Sequence, residues 1–165
     1  MPTVYGSLRN DFSYKGLSLS VNIVYRLGYV FRRSSTSLAY ENIIKTGQHS
    51  DYTSRWQKPG DEQTSDVPSL LYPSNPYREI FYQLSETLVE PGDHIRLQDI
   101  RLAYDFTPIL NKGSRFANLT LFGFANNLGI IWRKNKLGID PAAGASSSAQ
   151  YPNPFALSFG LTANF

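Results

Sequence analysis

The chain has 165 residues, no cysteine, and a formal net charge of +3 from 16 basic and 13 acidic residues. The absence of cysteine excludes disulfides and thiolate metal sites, and the scattered Arg and Lys residues argue against nucleic-acid binding. Aromatic residues make up 14% of the chain, yet no run approaches the roughly 20 apolar residues that a membrane helix needs. A membrane protein built from alternating strands is not excluded.

Two alternating segments at the start predict a β-hairpin, with strands over 4–14 and 17–32 joined by a short turn at Lys15–Gly16. In the second segment, odd positions are apolar and even positions are mostly polar. Sixteen residues at about 3.3 Å each would span roughly 50 Å, well beyond the roughly 10 residues of a tilted membrane strand. Strands of soluble proteins have about 5–6 residues, so this length favours a membrane barrel.

The following 60 residues are polar and irregular, and they predict a long loop over 33–93. Within it, Ile80, Leu84 and Leu88 recur every four residues and predict a short helix over 79–90. A loop of this length argues against a compact soluble fold, but it is ordinary on the outer side of a membrane barrel.

Two further strands are predicted over 94–107 and 116–127, separated by a short turn over 108–113. The alternation of the first changes phase near Gln98–Asp99, which indicates a β-bulge. The second alternates less cleanly, because apolar residues are nearly contiguous in it. A second long loop over 128–153 follows.

The fifth predicted strand, over 154–165, alternates throughout and ends on an aromatic residue. Termini of soluble proteins usually lie in water and fray, whereas a barrel strand has an apolar face on lipid and a polar face on the lumen. The ending is similar to the assembly signal of outer-membrane barrels. The residues of this predicted signal are Ser158, Gly160, Ala163 and Phe165.

Taken together, the pattern predicts an all-β fold, an antiparallel transmembrane β-barrel segment with short periplasmic turns and long extracellular loops. Five strands cannot close a membrane barrel, whose smallest examples have eight. Either the missing strands belong to a longer parent chain or several copies assemble. The absence of an export signal before the first strand favours the longer parent.

At these residues the chain resembles the C-terminal end of the SusC/RagA family of TonB-dependent outer-membrane transporters of Bacteroidetes. The resemblance covers essentially the whole chain and depends on the order and spacing of several motifs. These are Tyr5-Gly-Ser-Leu-Arg-Asn10, Tyr14-Lys-Gly-Leu-Ser-Leu-Ser-Val21, Arg55-Trp56, Pro59-Gly60-Asp61-Glu62, Val67-Pro68, Val89-Glu90-x-Gly92-Asp93-x-Ile95-Arg-Leu-Gln-Asp-Ile-Arg-Leu102, Asn126-Asn127-Leu128, Lys136-x-Gly138-Ile139-Asp140-Pro141 and Pro154 to Phe165.

The resemblance implies a 22-stranded barrel with an N-terminal plug, energised through the TonB complex and paired with a SusD-like surface lipoprotein. It implies oligosaccharide or peptide substrates, folding by the barrel-assembly machinery and a location in the bacterial outer membrane. These 165 residues would supply about five C-terminal strands, two extracellular loops and the assembly signal. The plug domain and the part that contacts TonB are absent from them.

Polar residues on one face of the first hairpin are predicted to face the barrel lumen, where they line a passage or pair with the plug. They are Arg9, Asp11, Ser18, Ser20, Asn22 and Arg26. Trp56 and Trp132 fall in the predicted loops, where an indole can stack on a sugar or simply anchor packing. Aromatic girdles at the two membrane interfaces are predicted at Tyr25, Tyr29 and Phe31 on one side and at Tyr14 on the other.

The sequence contains little that supports catalysis, cofactor binding or metal binding. His49 and His94 are far apart, and no nucleophile, phosphate-loop or dinucleotide motif is present. Asp61, Glu62 and Asp66 match no standard Ca²⁺ loop. The sequence therefore predicts a protein that is not an enzyme and holds no cofactor.

Two alternatives remain open. One is a soluble carbohydrate-binding β-sandwich, and the other is a small oligomeric outer-membrane structural β-protein whose copies complete a barrel together. Detergent dependence would separate the first from a membrane protein, because a sandwich buries its apolar faces internally. The number of subunits in detergent would identify the second.

Overall fold

The computed structural model describes residues 1–110, 117–143 and 154–164, without the side chain of Thr46. The described residues form two compact units. The sheet unit comprises residues 1–30, 91–143 and 154–164, and the loop unit comprises residues 31–90. None of the described helices is long and apolar enough to cross a membrane.

The sheet unit is a five-stranded antiparallel sheet. Its strands are β1 (Val4–Tyr14), β2 (Leu17–Leu27), β5 (His94–Asp105), β6 (Asn118–Arg133) and β7 (Ala156–Asn164). They pair in the order β1-β2-β5-β6-β7, so each strand lies beside the strand of the sheet that precedes it in the chain. Two short strands, β3 (Val30–Arg32) and β4 (Val89–Pro91), form a separate two-stranded sheet.

The first hairpin has the predicted tight turn. Lys15 and Gly16 both have positive φ, 46° and 85°, as the two-residue turn that matches strand twist requires. The strand predicted over 17–32 is wrong in length, because β2 ends at Leu27 and Gly28 takes φ 71°. A β2 of 11 residues has the length of a strand that crosses a bilayer once, about 9–11 residues.

The predicted β-bulge in the third strand of the sheet is confirmed. Asn22 of β2 pairs with Asp99 of β5, whereas the next residue, Ile23, pairs with Leu97. Gln98 is the extra residue, and it lets the apolar side chains before and after it return to one face. Pairing of β5 with β6 is also irregular here, because Leu97 pairs with Gly129 and Asp99 with Asn126.

Strand β6 is longer than the predicted 116–127, and it extends to Arg133. Trp132 therefore lies in a strand, opposite Ile95, and not in the second long loop. The positive φ values of Asn127 and Gly129, 56° and 121°, allow the strand to continue through the bulge. Part of the predicted turn over 108–113 lies outside the described residues, as do residues 144–153 of the second long loop and Phe165.

The loop unit has its own helices and its own core. It contains α1 (Tyr40–Thr46), α2 (Pro76–Leu84) and three short 3-10 helices. The core consists of Leu38, Val67, Tyr82 and Leu88. The bounds of the helix predicted over 79–90 are wrong, because Asn75 caps α2 through the backbone N–H groups of Tyr77 and Arg78 and the helix ends before Ser85.

A half-buried ion pair strengthens the loop unit. Arg33 donates to Asp51, which also accepts a hydrogen bond from Ser35 Oγ at 2.6 Å. The Ser35 hydroxyl in turn lies 2.7 Å from the Tyr82 hydroxyl. Burial alone would raise the pKa of Asp51, but the hydrogen bonds from Arg33 and Ser35 outweigh it and hold that pKa below its ordinary value. The carboxylate therefore stays charged and keeps both contacts at neutral pH.

Gly160 and Gly123 provide a matched test of sheet packing. A methyl group on Gly160 would overlap the Phe122 ring, whereas one on Gly123 would meet the Phe159 ring at an ordinary 3.4 Å. We expect Gly160→Ala to lower the free energy of unfolding by about 1–3 kcal/mol through overpacking, and Gly123→Ala to change it by less than about half a kcal/mol. Urea unfolding of the protein in detergent micelles measures both. Equal effects would show that Phe122 does not pack over Gly160.

Candidate functional site

The two faces of the five-stranded sheet differ in chemistry, and the register shows which residues share a face. Directly opposed residues of antiparallel strands project to the same side. Apart from Phe122 and Phe124, one face carries polar or small residues in rows that cross the sheet: Arg9, Asn22, Asp99 and Asn126; Asp11, Ser20, Arg101, Phe124 and Ser158; Ser13, Ser18, Ala103, Phe122 and Gly160. We call it the polar face.

The opposite face, the apolar face, is almost free of polar side chains. Its rows include Tyr14, Leu17, Tyr104, Leu121 and Leu161; Phe12, Leu19, Leu102, Gly123 and Phe159; Asn10, Val21, Ile100, Ala125 and Leu157. Many of these side chains are exposed in the described structure, among them Phe12 at 60% and Phe159 at 76%. A continuous apolar surface of this extent marks a contact with protein or membrane.

Asp99 is the centre of a hydrogen-bond network on the polar face. Its carboxylate is buried and accepts hydrogen bonds from Arg9 Nη2 at 3.1 Å and from Asn22 Nδ2 at 2.7 Å. Arg9 also donates to Ser20 Oγ at 3.0 Å. The structure thus brings together three of the polar residues predicted on this face, and it adds Asp99 from a strand about 80 residues away in sequence.

One buried polar atom of the network lacks a hydrogen-bond partner among the described residues. Oδ1 of Asn22 is buried and accepts no hydrogen bond from any described residue. A buried carbonyl oxygen without a donor is costly. The polar face at this point is therefore suited to receive a donor from another segment or molecule.

A shallow cavity of about 400 Å³ lies on the sheet, lined by Asp11, Ser18 and Ser20 together with Arg101 and Asp105. Five of the six predicted polar residues therefore either line this cavity or belong to the Asp99 network. Arg26, the remaining predicted residue, is exposed near the end of β2 opposite Tyr5 and His94.

A second polar cluster lies at the other end of β5, and residue patterns did not reveal it as a site. Arg96 is buried and donates both to Asn127 Oδ1, at 2.7 Å, and to Asp140. Burial would raise the pKa of Asp140, but the hydrogen bond from Arg96 and a backbone N–H lower it overall. Only motif membership singled out Asn127 and Asp140, because strand alternation says nothing about a residue that returns from a loop.

Asp93 joins this cluster next to His94. It accepts hydrogen bonds from the backbone N–H groups of Gly28 (2.7 Å) and Tyr29 (3.3 Å), and Lys134 Nζ lies 3.4 Å away. Burial opposes ionisation of Asp93, but these donors hold its pKa below the ordinary value. His94 is buried, with Nδ1 2.8 Å from the Gly92 carbonyl oxygen. These contacts fix the chain where it re-enters the sheet.

Two of the four residues predicted for the aromatic girdles lie on the apolar face of the sheet. Tyr25 lies in β2 on the apolar face, and Tyr14 is exposed beside the first turn. Tyr29 follows the end of β2, with its ring against Gly92 and its hydroxyl 3.2 Å from His94 Nδ1. Phe31 is buried in the loop unit. The prediction is wrong for Tyr29 and Phe31, because β2 ends at Leu27 and Gly28 turns the chain before it reaches them.

The two tryptophans lie in different surroundings. Trp56 is half-buried in the loop unit and donates from Nε1 to Glu62 Oε2 at 3.0 Å. Trp132 is 45% exposed at the end of β6, opposite Ile95, which is itself opposite Tyr25. An aromatic row therefore crosses the apolar face at the end away from the short turns.

The acidic residues near Trp56 accept hydrogen bonds from nearby backbone N–H groups. Asp61 Oδ2 accepts hydrogen bonds from the N–H groups of Gln57 and Lys58, and Glu62 accepts one from Gly60. Among the residues that the structure describes, no group of His, Asp and Glu is arranged to hold a metal ion.

Three residues of the predicted assembly signal lie in β7. Ser158 Oγ is 3.4 Å from the Phe124 carbonyl oxygen, and the Phe122 ring covers Gly160. Ala163 pairs with Leu119. The fourth residue, Phe165, lies outside the described residues.

No protein-family model matches the chain. A curated relative, the TonB-dependent receptor P26 of Formosa agariphila, is 26% identical over 184 residues that cover 100% of this chain and 17% of that protein. The chain thus spans about a sixth of the length of this relative.

Solved structures of the RagAB peptide importer are similar in fold. Its open-open state matches with a TM-score of 0.71 and 20% identity, and its closed-closed state with 0.70 and 22%. Each match covers 100% of this chain and 17% of the other. Relatives and structural neighbours are receptors and transporters, not enzymes. Over its whole length, the chain is similar in sequence to part of a TonB-dependent receptor and in fold to one segment of the RagAB importer.

Proposed function

We propose that the chain forms part of the wall of a TonB-dependent importer, with its apolar face on lipid and its polar face on the lumen. The division of the sheet into these two faces carries the proposal. Lipid leaves no place for polar side chains on one side of a barrel strand, and a water-filled or plugged interior requires them on the other. A soluble sheet with one solvated face would need its apolar face covered by protein.

The dimensions of the sheet support a membrane crossing. β1 and β2 have 11 residues each, close to the roughly 9–11 of a tilted membrane strand. Aromatic rows lie near both ends of the apolar face, with Tyr14 and Tyr104 at one end and Tyr25 and Trp132 at the other. Aromatic rings favour the two interfaces of a bilayer. For Trp132, this position favours an interfacial anchor over a substrate contact.

The polar face would line the interior of the barrel. Its predicted lumen residues are Arg9, Asp11, Ser18, Ser20, Asn22 and Arg26. The buried Asn22 Oδ1 and the cavity beside Arg101 would be completed by the plug, which lies in the part of the parent protein beyond these residues. Energy would come from the TonB complex through that same part.

The long loops, 33–93 and 128–153, would project from the outer surface and contact a SusD-like lipoprotein. The substrate would be an oligosaccharide or a peptide, and the likeness in fold to a peptide importer favours a peptide. Trp56 is the substrate-contact candidate that lies in a loop, although its bond to Glu62 also gives it a packing role. Ser158, Gly160, Ala163 and Phe165 would serve the barrel-assembly machinery as its recognition signal.

Single cysteines along β2 test the orientation of the two faces, because the chain has no cysteine of its own. In the full-length receptor in lipid vesicles, with any cysteine outside these 165 residues replaced, an environment-sensitive probe should shift to the blue at positions 19, 21, 23 and 25. A water-soluble thiol reagent should react faster at positions 18, 20 and 22. A uniform response along β2 would favour the soluble sandwich, and a closed oligomer of the 165-residue chain in detergent would favour the oligomeric alternative.

Asp99 and Asp11 test the lumen network with the same change of charge. Asp99→Asn removes the buried charge and replaces one of the two acceptor oxygens by an N–H donor, so we expect the free energy of unfolding of the receptor to fall by about 1–3 kcal/mol. Asp11→Asn, at an exposed position of the same face, should change it by less than about half a kcal/mol. Urea titration of the refolded receptor gives both values. Equal losses would mean that Asp99 is not the centre of the network.

A further inference from the structure

The polar face of the sheet is covered at one end of β5 and open at the other. Three β5 residues of this face are buried, His94 at 2%, Arg96 at 8% and Asp99 at 6%, whereas Arg101 further along the strand is exposed. All four pair with even-numbered residues of β2, which places them on the polar face. The buried end is the end from which the long loops leave the sheet. Part of the sheet unit itself therefore covers this end of the polar face.

The cover at Arg96 is a tight turn that follows β6. Residues 134–141, which we call the inward turn, leave the end of β6 and come back to β5, where Asp140 accepts a hydrogen bond from Arg96. Arg96 donates from its other terminal nitrogen to Asn127 Oδ1 at 2.7 Å. Because the Arg96 side chain lies on the polar face, its partner Asp140 lies there too. The chain after β6 thus folds over the polar face and does not simply extend the strand.

Hydrogen bonds within the inward turn fix its shape. Asn135 is buried and exchanges two hydrogen bonds with the backbone of Ile139, at 2.9 and 3.1 Å. Arg133, the last residue of β6, donates to the Gly138 carbonyl oxygen. Gly138 has φ 74°, a left-handed conformation that glycine adopts without strain. The turn is therefore a defined structure that Arg96 can hold in one place.

We infer that the inward turn is a fixed constriction at the outer end of the barrel lumen, and that Arg96 is the positioning residue that pins it. The inference rests on the proposed function, which places the polar face on the lumen and the long loops outside. A turn that folds over the lumen wall reduces the cross-section open to a solute. The second long loop thus begins by turning inward, with Lys136 and Leu137 exposed at the tip of the turn. The turn sets an upper limit on the size of the substrate that passes.

The alternative is that the pair of Arg96 and Asp140 only strengthens the sheet. A buried ion pair adds little net stability, because the loss of hydration offsets the attraction between the charges, but separating the two partners is costly. Such a pair therefore holds one geometry more effectively than it stabilises the fold. Here the partners are 44 residues apart in sequence, one in a strand and one in a turn, so the geometry that they hold is the position of the turn.

Reagents of two sizes test the constriction in the full-length receptor in lipid vesicles, with any other cysteine replaced. Val24→Cys places a thiol on the polar face directly opposite Arg96, where N-ethylmaleimide and a maleimide on a large polyethylene glycol compete with the cover. In an Asp140→Ala background we expect the rate of the large reagent, relative to the small one, to rise at least about tenfold, as for the loss of a charged hydrogen bond. Asp61→Ala is the control, because Asp61 also holds a turn through backbone N–H groups, but in the loop unit.

A cross-link tests the position of the inward turn independently of any rate. Arg96→Cys combined with Asp140→Cys brings two thiols within reach of a short bifunctional methanethiosulfonate, because the original side chains are hydrogen-bonded. Arg101→Cys combined with Asp140→Cys is the control pair, since Arg101 lies about 17 Å further along β5. We expect mass spectrometry to find the cross-linked peptide for the first pair only.

A size-selective rise in Asp140→Ala together with the cross-link of the first pair supports the inference. An unchanged ratio of rates, an equal rise in the Asp61→Ala control, or cross-linking of neither pair or of both overturns it, and the proposed function stands. If Asp140→Ala does not fold, the cross-link decides. If a probe on Val24→Cys shifts to the blue and neither maleimide reacts in any background, position 24 lies in lipid. The proposed faces are then wrong, and the inference falls with them.

Discussion

The need of every backbone N–H and C=O for a partner governs this structure. Within the described sheet, β1 and β7 each pair along one edge only. Water can satisfy such an edge in a soluble protein, but hydrocarbon cannot, and a sheet in lipid must therefore close on itself. A segment that covers 17% of its relatives with an apolar face as broad as this one is consistent with that requirement. In a closed barrel, further strands continue both edges of such a sheet.

The loop unit is different, because it folds as a compact unit of its own between β2 and β5 in the chain. It does so with a small core around Leu88, which is fully buried, and with the Arg33–Asp51 pair. The polar side chains of α2 make their hydrogen bonds within this unit, whereas its large apolar side chains are exposed. Such an arrangement costs stability in isolation. It is reasonable only for a surface that is covered during the working life of the protein.

Sequence patterns predicted the parts of the fold that depend on local alternation. β1 and the bulge at Gln98 follow from apolar residues that keep one face, with one shift of phase. The end of β2 was missed, because Tyr29 and Phe31 continue the alternation after Gly28 has turned the chain away. The extension of β6 to Arg133 was missed for the opposite reason, since its pairing with β5 outweighs a pattern that two irregular residues, Asn127 and Gly129, interrupt.

The candidate site was less predictable, because its central residue is defined by register. The alternation of side chains along each strand was enough to predict that Arg9, Ser20 and Asn22 lie on the polar face. Asp99 reaches them only because the bulge places it opposite Asn22, and no count of residues in one strand reveals that pairing. The same holds for Arg96, whose partner Asp140 comes from a loop. Charged partners across long sequence separations become visible only when strand order and register are known.

The weak alternation of β6 has a physical cause on the polar face. Phe122 and Phe124 lie on that face, where neighbouring strands carry Ala103 and Arg101. The Phe122 ring covers Gly160, and the Arg101 guanidinium lies 5.0 Å from the centre of the same ring. An aromatic ring over a strand glycine restores the packing that the missing side chain removes, and the guanidinium adds a cation–π contact with the same ring. β6 is thus apolar on both faces because its polar-face aromatics stabilise β7, the outermost strand of the sheet.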